Sequence, residues 1–183
     1  FYNRSGANLI QGITTEFAIR SSIGGKPRYK LAVIECDEGA LRRVCAAVDP
    51  EVLVVTNVFR DQLDRYGEVT HTLENIMAGV KNSPHATLCL NADDSMVASI
   101  ADRVDNDVVF YGVDCEIYPE RVEDLSDATH CIKCGAEYQY DYVTYAHLGG
   151  FKCPSCGYHR PAPKVAVERI VERRSDGCTV ELR

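Results

Sequence analysis

VLVVTNVFRDQLDRYG, residues 52–67, changes character halfway along its length. Val52–Val55 is a continuous apolar run, as in a strand buried on both faces of a parallel sheet. Polar groups follow at once: Thr56, Asn57, Arg60, Asp61, Gln62, Asp64 and Arg65. In open α/β sheets ligands bind beyond the carboxyl ends of the strands, where this loop would sit. Its carboxylate, amide and guanidinium groups suit a metal–phosphate site. They equally suit a solvated loop whose charges pair with each other or cap the next helix.

The flanking sequence repeats the theme. Ala7–Ser22 reads as a helix with Ile10, Ile13 and Phe17 on one face, ended by Gly24-Gly25. Lys30–Glu35 is expected to be a buried strand running into Glu35, Asp37 and Glu38. Gly39–Val48 is amphipathic and stops at Asp49-Pro50, and Glu68–Lys81 is amphipathic again. Thr87–Leu90 is a strand leading into Asn91-Ala92-Asp93-Asp94, Ser95–Arg103 is helical, and Val108–Tyr111 is a further strand. This alternation predicts βαβ units and a mostly parallel, Rossmann-like sheet flanked by helices. Beyond it Ile117–Leu125, Lys164–Arg173 and Cys178–Leu182 read as antiparallel strands, the last two joined at Ser175-Asp176-Gly177.

At 183 residues, 45% hydrophobic and 26% charged, the composition is that of an ordinary globular chain. The net charge of −7 argues against a general nucleic-acid or anionic-membrane surface. There is no run of ~18 apolar residues to span a bilayer and no signal-peptide pattern, so a cytoplasmic protein is expected. The chain opens Phe1-Tyr2-Asn3, with no initiator Met, and is expected to be a piece of a longer protein.

Four of the nine cysteines form two C-x2-C pairs, Cys131/Cys134 and Cys153/Cys156, separated by residues 135–152. That is zinc-site spacing. Two residues between ligands let one tight turn aim both sulfurs at a single ion, and Gly135 and Gly157 permit the positive φ such turns require. Four thiolates close the tetrahedron and leave no position for water, so the zinc is expected to be structural. Cys36, Cys45, Cys89, Cys115 and Cys178 are scattered, mostly in apolar stretches, as in a reducing compartment. Tyr138, Tyr140 and Tyr142 share one strand face and are expected to cover the ribbon's hairpin or dock it on the main sheet. His130, His147 and His159 are expected to face solvent.

Three polar clusters thus stand at three strand ends: Glu35–Glu38, Asn57–Asp64 and Asn91–Asp94. Each alone could be a helix cap. Together, on one edge of a parallel sheet, they suit Mg²⁺ and a nucleotide.

The DQLDRYG of residues 61–67 resembles the DH(L/M)DR(Y/H)G signature of the Mur ligases and folylpolyglutamate synthases. Thr56-Asn57, Glu35 at the end of VIE, and Leu90–Asp94 occur in the same order as in that family's central ATPase domain. NRSGANLIQGITTEF near the start, together with the four-cysteine ribbon, more closely resembles the ligase-like subunits that pair with a GatD-like glutaminase to amidate lipid II in bacteria. The resemblance implies a Mur ligase-like central domain over 1–183 with a zinc ribbon inserted at 129–160. It implies an ATP-dependent carbon–nitrogen ligase using Mg²⁺. The α-carboxylate of D-glutamate in the lipid II stem peptide would be phosphorylated, and ammonia from the glutaminase would give D-isoglutamine. Glu35 would help hold magnesium, Asp61 and Gln62 would face the metal and the acyl phosphate, and Asn57, Asn91 and Asp94 would bind nucleotide, with Asn91 at adenine.

The sequence departs from the family in three places. Gln62 replaces the usual His, the helix after the motif offers no lysine for carbamylation before Lys81, and no GxxxxGK[ST] loop is present. The phosphate loop is expected upstream of residue 1 and the third domain beyond Arg183, so little activity is expected of this stretch alone. Two other readings compete. One is an amino-acid-adding Mur ligase or polyglutamate synthase. The other is a non-enzymatic zinc-ribbon module, for which Lys133, Lys152, Arg160 and Lys164 are thin phosphate-binding provision.

Overall fold

The computed structural model describes residues 1–3, 6–58, 68–115, 117 and 129–183. They fall into two units, Phe1–Pro50 with Thr70–Pro84, and Glu51–Val69 with His85–Arg183.

In the first unit the apolar stripes expected from sequence meet each other. Helices α1 (Ile10–Ile19) and α2 (Glu38–Val48) pack through Ile13, Ala40 and Val44, with Ile10, Phe17, Ile34 and Cys36 against them. Asp37 starts α2 by accepting the Gly39 amide at 2.9 Å. Asp49 ends it in the left-handed conformation, φ 49°, and Pro50 forbids continuation. Helix α3 (Glu68–Lys81) buries Leu73, Ile76, Met77 and Val80 along one stripe. It approaches α2 closely at Gly79, where a Cβ would lie 2.6 Å from Leu41 Cγ.

Lys30–Glu35 corrects the sequence reading. Among the described residues it forms no ladder, only a parallel bridge between Tyr2 and Val33. Leu31 and Val33 are 71% and 64% exposed. An apolar run becomes a buried strand only where partner strands satisfy its backbone and cover its faces, and among the described residues the Tyr2–Val33 bridge is the pairing it makes.

The second unit holds a five-stranded sheet in the order β1 (Val52–Val55), β2 (Thr87–Asn91), β3 (Val108–Val113), β6 (Val165–Arg174), β7 (Gly177–Leu182). The first four run parallel, in registers such as Val54 with Cys89, Leu90 with Phe110 and Gly112 with Ala166. Strands β6 and β7 are antiparallel to each other, as expected, and β6 also joins the parallel sheet. Among the described residues β1 is an edge strand with Val52 and Val54 exposed, not buried on both faces, whereas Leu88 and Leu90 of central β2 are fully buried. A strand is covered on both sides only in the sheet's interior. After β2, the short helix α4 (Ser95–Ala98) passes into a 3₁₀ turn, Ser99–Arg103.

A second, two-stranded sheet pairs β4 (Gln139–Tyr145) with β5 (Leu148–Lys152). Of the strand expected at Ile117–Leu125, all but residue 117 lies outside the described residues. Among the described residues no helix is long and apolar enough to cross a membrane.

Leu88 is 0% exposed, so Leu88→Ala is expected to cost ~2–5 kcal/mol by removing core volume. A urea titration against the parent protein measures it through the shift in midpoint.

Candidate functional site

Strands β1, β2 and β3 end on one edge, and side chains from the turn after β2 stitch that edge together. Asn91 Nδ2 donates to the Thr56 carbonyl at 2.8 Å, and Asn91 Oδ1 accepts the Asp93 amide at 2.9 Å. Asp94 is wholly buried and uses both oxygens. Oδ1 caps α4 by accepting from Met96 and Val97, and Oδ2 accepts from Val58 at 2.8 Å. Tyr111 Oη donates to the Val55 carbonyl at 3.1 Å. The turn Asn91–Asp94 is thus tied to Thr56 and Val58 after β1, where Thr56 and Asn57 stand exposed, while residues 59–64 of the second cluster lie outside the described residues. Asp94 is a cap, as its sequence position allowed, and it also positions the loop after β1.

Glu35 belongs to the first unit; it is exposed, and its backbone is gripped by Asn3, which accepts its amide at 2.8 Å and donates to its carbonyl at 2.7 Å. Asp61 and Gln62 lie outside the described residues.

Asp93, next to Asp94 and placed by the sequence in the same cluster as a possible cap, is paired across the fold instead. Its Oδ1 meets Arg160 Nε at 2.6 Å, and its Oδ2 accepts the Val113 amide at 2.9 Å. Arg160 Nη2 also reaches Asp114 at 2.9 Å and the Val113 carbonyl at 3.3 Å. Burial pushes the Asp93 carboxyl above the usual carboxylate range, against the opposing pull of Arg160. No local pattern betrays this pair, because the two residues are joined only by the fold.

Arg160 follows the second cysteine knuckle, and the two knuckles are built alike. Gly135 and Gly157 have φ of 75° and 77°, as expected of them. Each returns its amide to the first cysteine's carbonyl: Gly135 to Cys131 at 2.8 Å, Gly157 to Cys153 at 3.1 Å. The four sulfurs all lie within 4.8 Å of one another, with Cys131–Cys156 at 3.6 Å and Cys134–Cys153 at 3.5 Å. A tetrahedron with Zn–S bonds of about 2.3 Å has edges of about 3.8 Å. Four soft sulfur donors at that spacing fit zinc. Burial works against a Cys131 thiolate, yet hydrogen bonds from the amides of Lys133 and Cys134 and from the side chains of Tyr138 and Cys156 together hold the thiol down at about 6. Cys156, although the Tyr158 amide favours its thiolate, is pushed up to about 12 by desolvation and the neighbouring sulfurs. Of the other five cysteines only Cys45 is buried, and Cys178 is exposed.

The ribbon docks through the tyrosines, as expected. Cys131, Tyr138, Phe151 and Cys153 share a core with Ala98, and Phe110, Tyr140 and Tyr158 pack against it. Tyr142 Oη donates to the Val113 carbonyl at 2.9 Å, and Tyr158 Oη to the Ser95 carbonyl at 2.8 Å. His130 and His159 are exposed. His147, expected in solvent, is instead 2% exposed, with Nε2 3.6 Å from Asp94 Oδ2. The turn between β4 and β5 folds it inward, which spacing from the cysteines cannot reveal.

The Mur ligase middle domain family matches residues 14–152, and the chain belongs to that family. It is 37% identical over 166 residues to the lipid II isoglutaminyl synthase (glutamine-hydrolyzing) subunit MurT of Staphylococcus aureus, covering 91% of this chain and 36% of that protein. With the subunit of the same name from Streptococcus pneumoniae it shares 36% identity over 172 residues, 93% of this chain and 37% of that protein. The chain thus spans little more than a third of the length of these relatives. A pseudomurein peptide ligase type C from Methanothermus fervidus shares the fold, with a TM-score of 0.61 and 24% identity over 81% of this chain and 30% of that one.

Removing the guanidinium takes away the main interactions that lower the Asp93 pKa, so in Arg160→Ala it rises further above its unfolded value. The folded state then holds the proton more tightly than the unfolded state. Stability is therefore expected to fall as pH rises from about 4 through the folded pKa, more steeply than in the parent. Denaturant midpoints measured between pH 4 and 8 test this slope.

Proposed function

We propose that the chain is the central domain (1–183) of an ATP-dependent ligase subunit in bacterial peptidoglycan synthesis, with a zinc ribbon inserted at 129–160. Its substrate would be lipid II, whose D-glutamate α-carboxylate is activated for amidation to D-isoglutamine by ammonia from a GatD-like glutaminase. The observation that carries this reading is the 36–37% identity to the two MurT subunits across 91–93% of the chain. The four clustered sulfurs support it.

The site roles follow the family resemblance. Glu35 would share in holding magnesium under the nucleotide phosphates, with Asp61 and Gln62 facing that ion and the carboxylate under attack. Asn57 and Asn91 would meet the nucleotide, and Asp94 would hold the loop after β1 through Val58. Phosphoryl transfer asks a protein chiefly to position reactants and offset charge. A rim of hydrogen-bonded turns on strand ends suits that task. Cys131, Cys134, Cys153 and Cys156 would hold zinc in a closed tetrahedron, which supplies folding energy and no chemistry.

The deciding experiment is to co-express the full-length protein with its glutaminase and to assay glutamine- and ATP-dependent amidation of lipid II. Amide product is expected in the wild type. Turnover in Glu35→Ala is expected to fall by about 10²-fold or more. A folded complex without product overturns the reading.

Zinc analysis gives an independent check. One zinc per chain is expected, and Cys134→Ser is expected to lose the metal and lower the melting temperature.

A further inference from the structure

We propose that Arg160 is a positioning residue that couples the cysteine ribbon to the nucleotide-side turn Asn91–Asp94; this rests on the reading above. Arg160 is anchored to the ribbon through its backbone amide, which donates to the Phe151 carbonyl at 2.9 Å. Its guanidinium leaves the ribbon and binds Asp93, Asp114 and the Val113 carbonyl, at the carboxyl ends of β2 and β3. The ion pair is sequestered, with side-chain exposures of 12% and 4% for Arg160 and Asp93. Tyr142, from β4, flanks it with its ring 5.7 Å from the guanidinium carbon.

Hydrogen bonds continue from that pair to the rim. The Asp93 amide donates to Asn91 Oδ1, and Asn91 Nδ2 holds the Thr56 carbonyl next to exposed Asn57. The ribbon grips the same turn from its other strand, where the Gly149 amide donates to the Asp93 carbonyl at 2.9 Å. Nor is there slack around the pair: a Cβ on Gly112 would lie 2.7 Å from both Arg160 Nη2 and Asp93 Oδ1. A shift of the knuckle that carries Arg160 therefore moves Asp93, and with it the orientation of the Asn91 amide. In this arrangement the metal in the ribbon, remote in its chemistry from ATP, sets the geometry of the nucleotide rim.

The test uses the full-length protein with its glutaminase partner. Arg160→Ala, Arg160→Lys and, as control, Arg169→Ala at an exposed pair with Glu181 are compared for zinc per chain, KM for ATP and amide hydrogen exchange over residues 91–97. Lysine keeps the charge but cannot reach both carboxylates and the carbonyl at once. Both Arg160 variants are expected to keep one zinc per chain, to exchange faster over 91–97 and to raise KM for ATP by about tenfold, with kcat changed less. Arg169→Ala is expected to change none of these. Zinc-loaded Arg160 variants with parental exchange and KM overturn the proposal.

Should Arg160→Ala not fold, chelation of zinc from the wild type provides the second arm. Faster exchange over 91–97 is expected there, and unchanged protection overturns the proposal. A wild-type complex that binds no ATP sinks the functional reading instead, and the exchange data then decide the coupling by themselves.

Discussion

Strand β2 ends by driving two consecutive carboxylates, Asp93 and Asp94, out of solvent. A buried carboxylate is costly unless it is paired or hydrogen-bonded, so the surrounding structure must supply its partners. Asp94 takes its partners locally, from the first amides of α4, and reaches across to Val58 with its second oxygen. Asp93 takes a backbone amide from β3 and a guanidinium from the segment that follows the second knuckle. The arrangement of the strand ends follows from satisfying these two groups. The loop after β1 is held at Val58, β3 is held at Val113, and the ribbon is brought in by Arg160.

The ribbon is held by two different kinds of force. Inside, its paired knuckles bring four sulfurs to within 4.8 Å of one another, a disposition that a divalent cation would stabilise. Outside, it has little core to itself and borrows Ala98 and Phe110 from the sheet. Tyr142 and Tyr158 bury their rings while spending their hydroxyls on backbone carbonyls, the usual compromise of an amphipathic side chain at an interface. A module so attached can stiffen the edge on which it sits. That is a physical reason for a ligase-family domain to carry it beside a strand-end turn.

Much of this was legible in the amino-acid order. The 3.6-residue periods of α1, α2 and α3, the bounds of α3, and the apolar runs of β1, β2 and β3 are local signals that short-range physics enforces. The C-x2-C pairs and their glycines are equally local, because two ligands on one tight turn need that spacing. Asp37 and one of Asp93 and Asp94 could be read as caps, since a cap acts within three residues of itself; which of the last two caps was left to the structure, where it is Asp94.

What tertiary structure alone decided is every feature that depends on a distant neighbour. Burial of a strand depends on who flanks it, so Val52 and Val54 are exposed at an edge while Leu88 and Leu90 are not. Leu31 and Val33 are as apolar as any strand residue, yet without a ladder they stay in water. His147 is turned inward by the hairpin, toward Asp94. The pairing of Asp93 with Arg160 joins positions 67 residues apart in the chain, and no composition or spacing rule links them. Sequence settles what a residue can do with its near neighbours; which charge it meets across the molecule is settled only when desolvation makes an unpaired one intolerable.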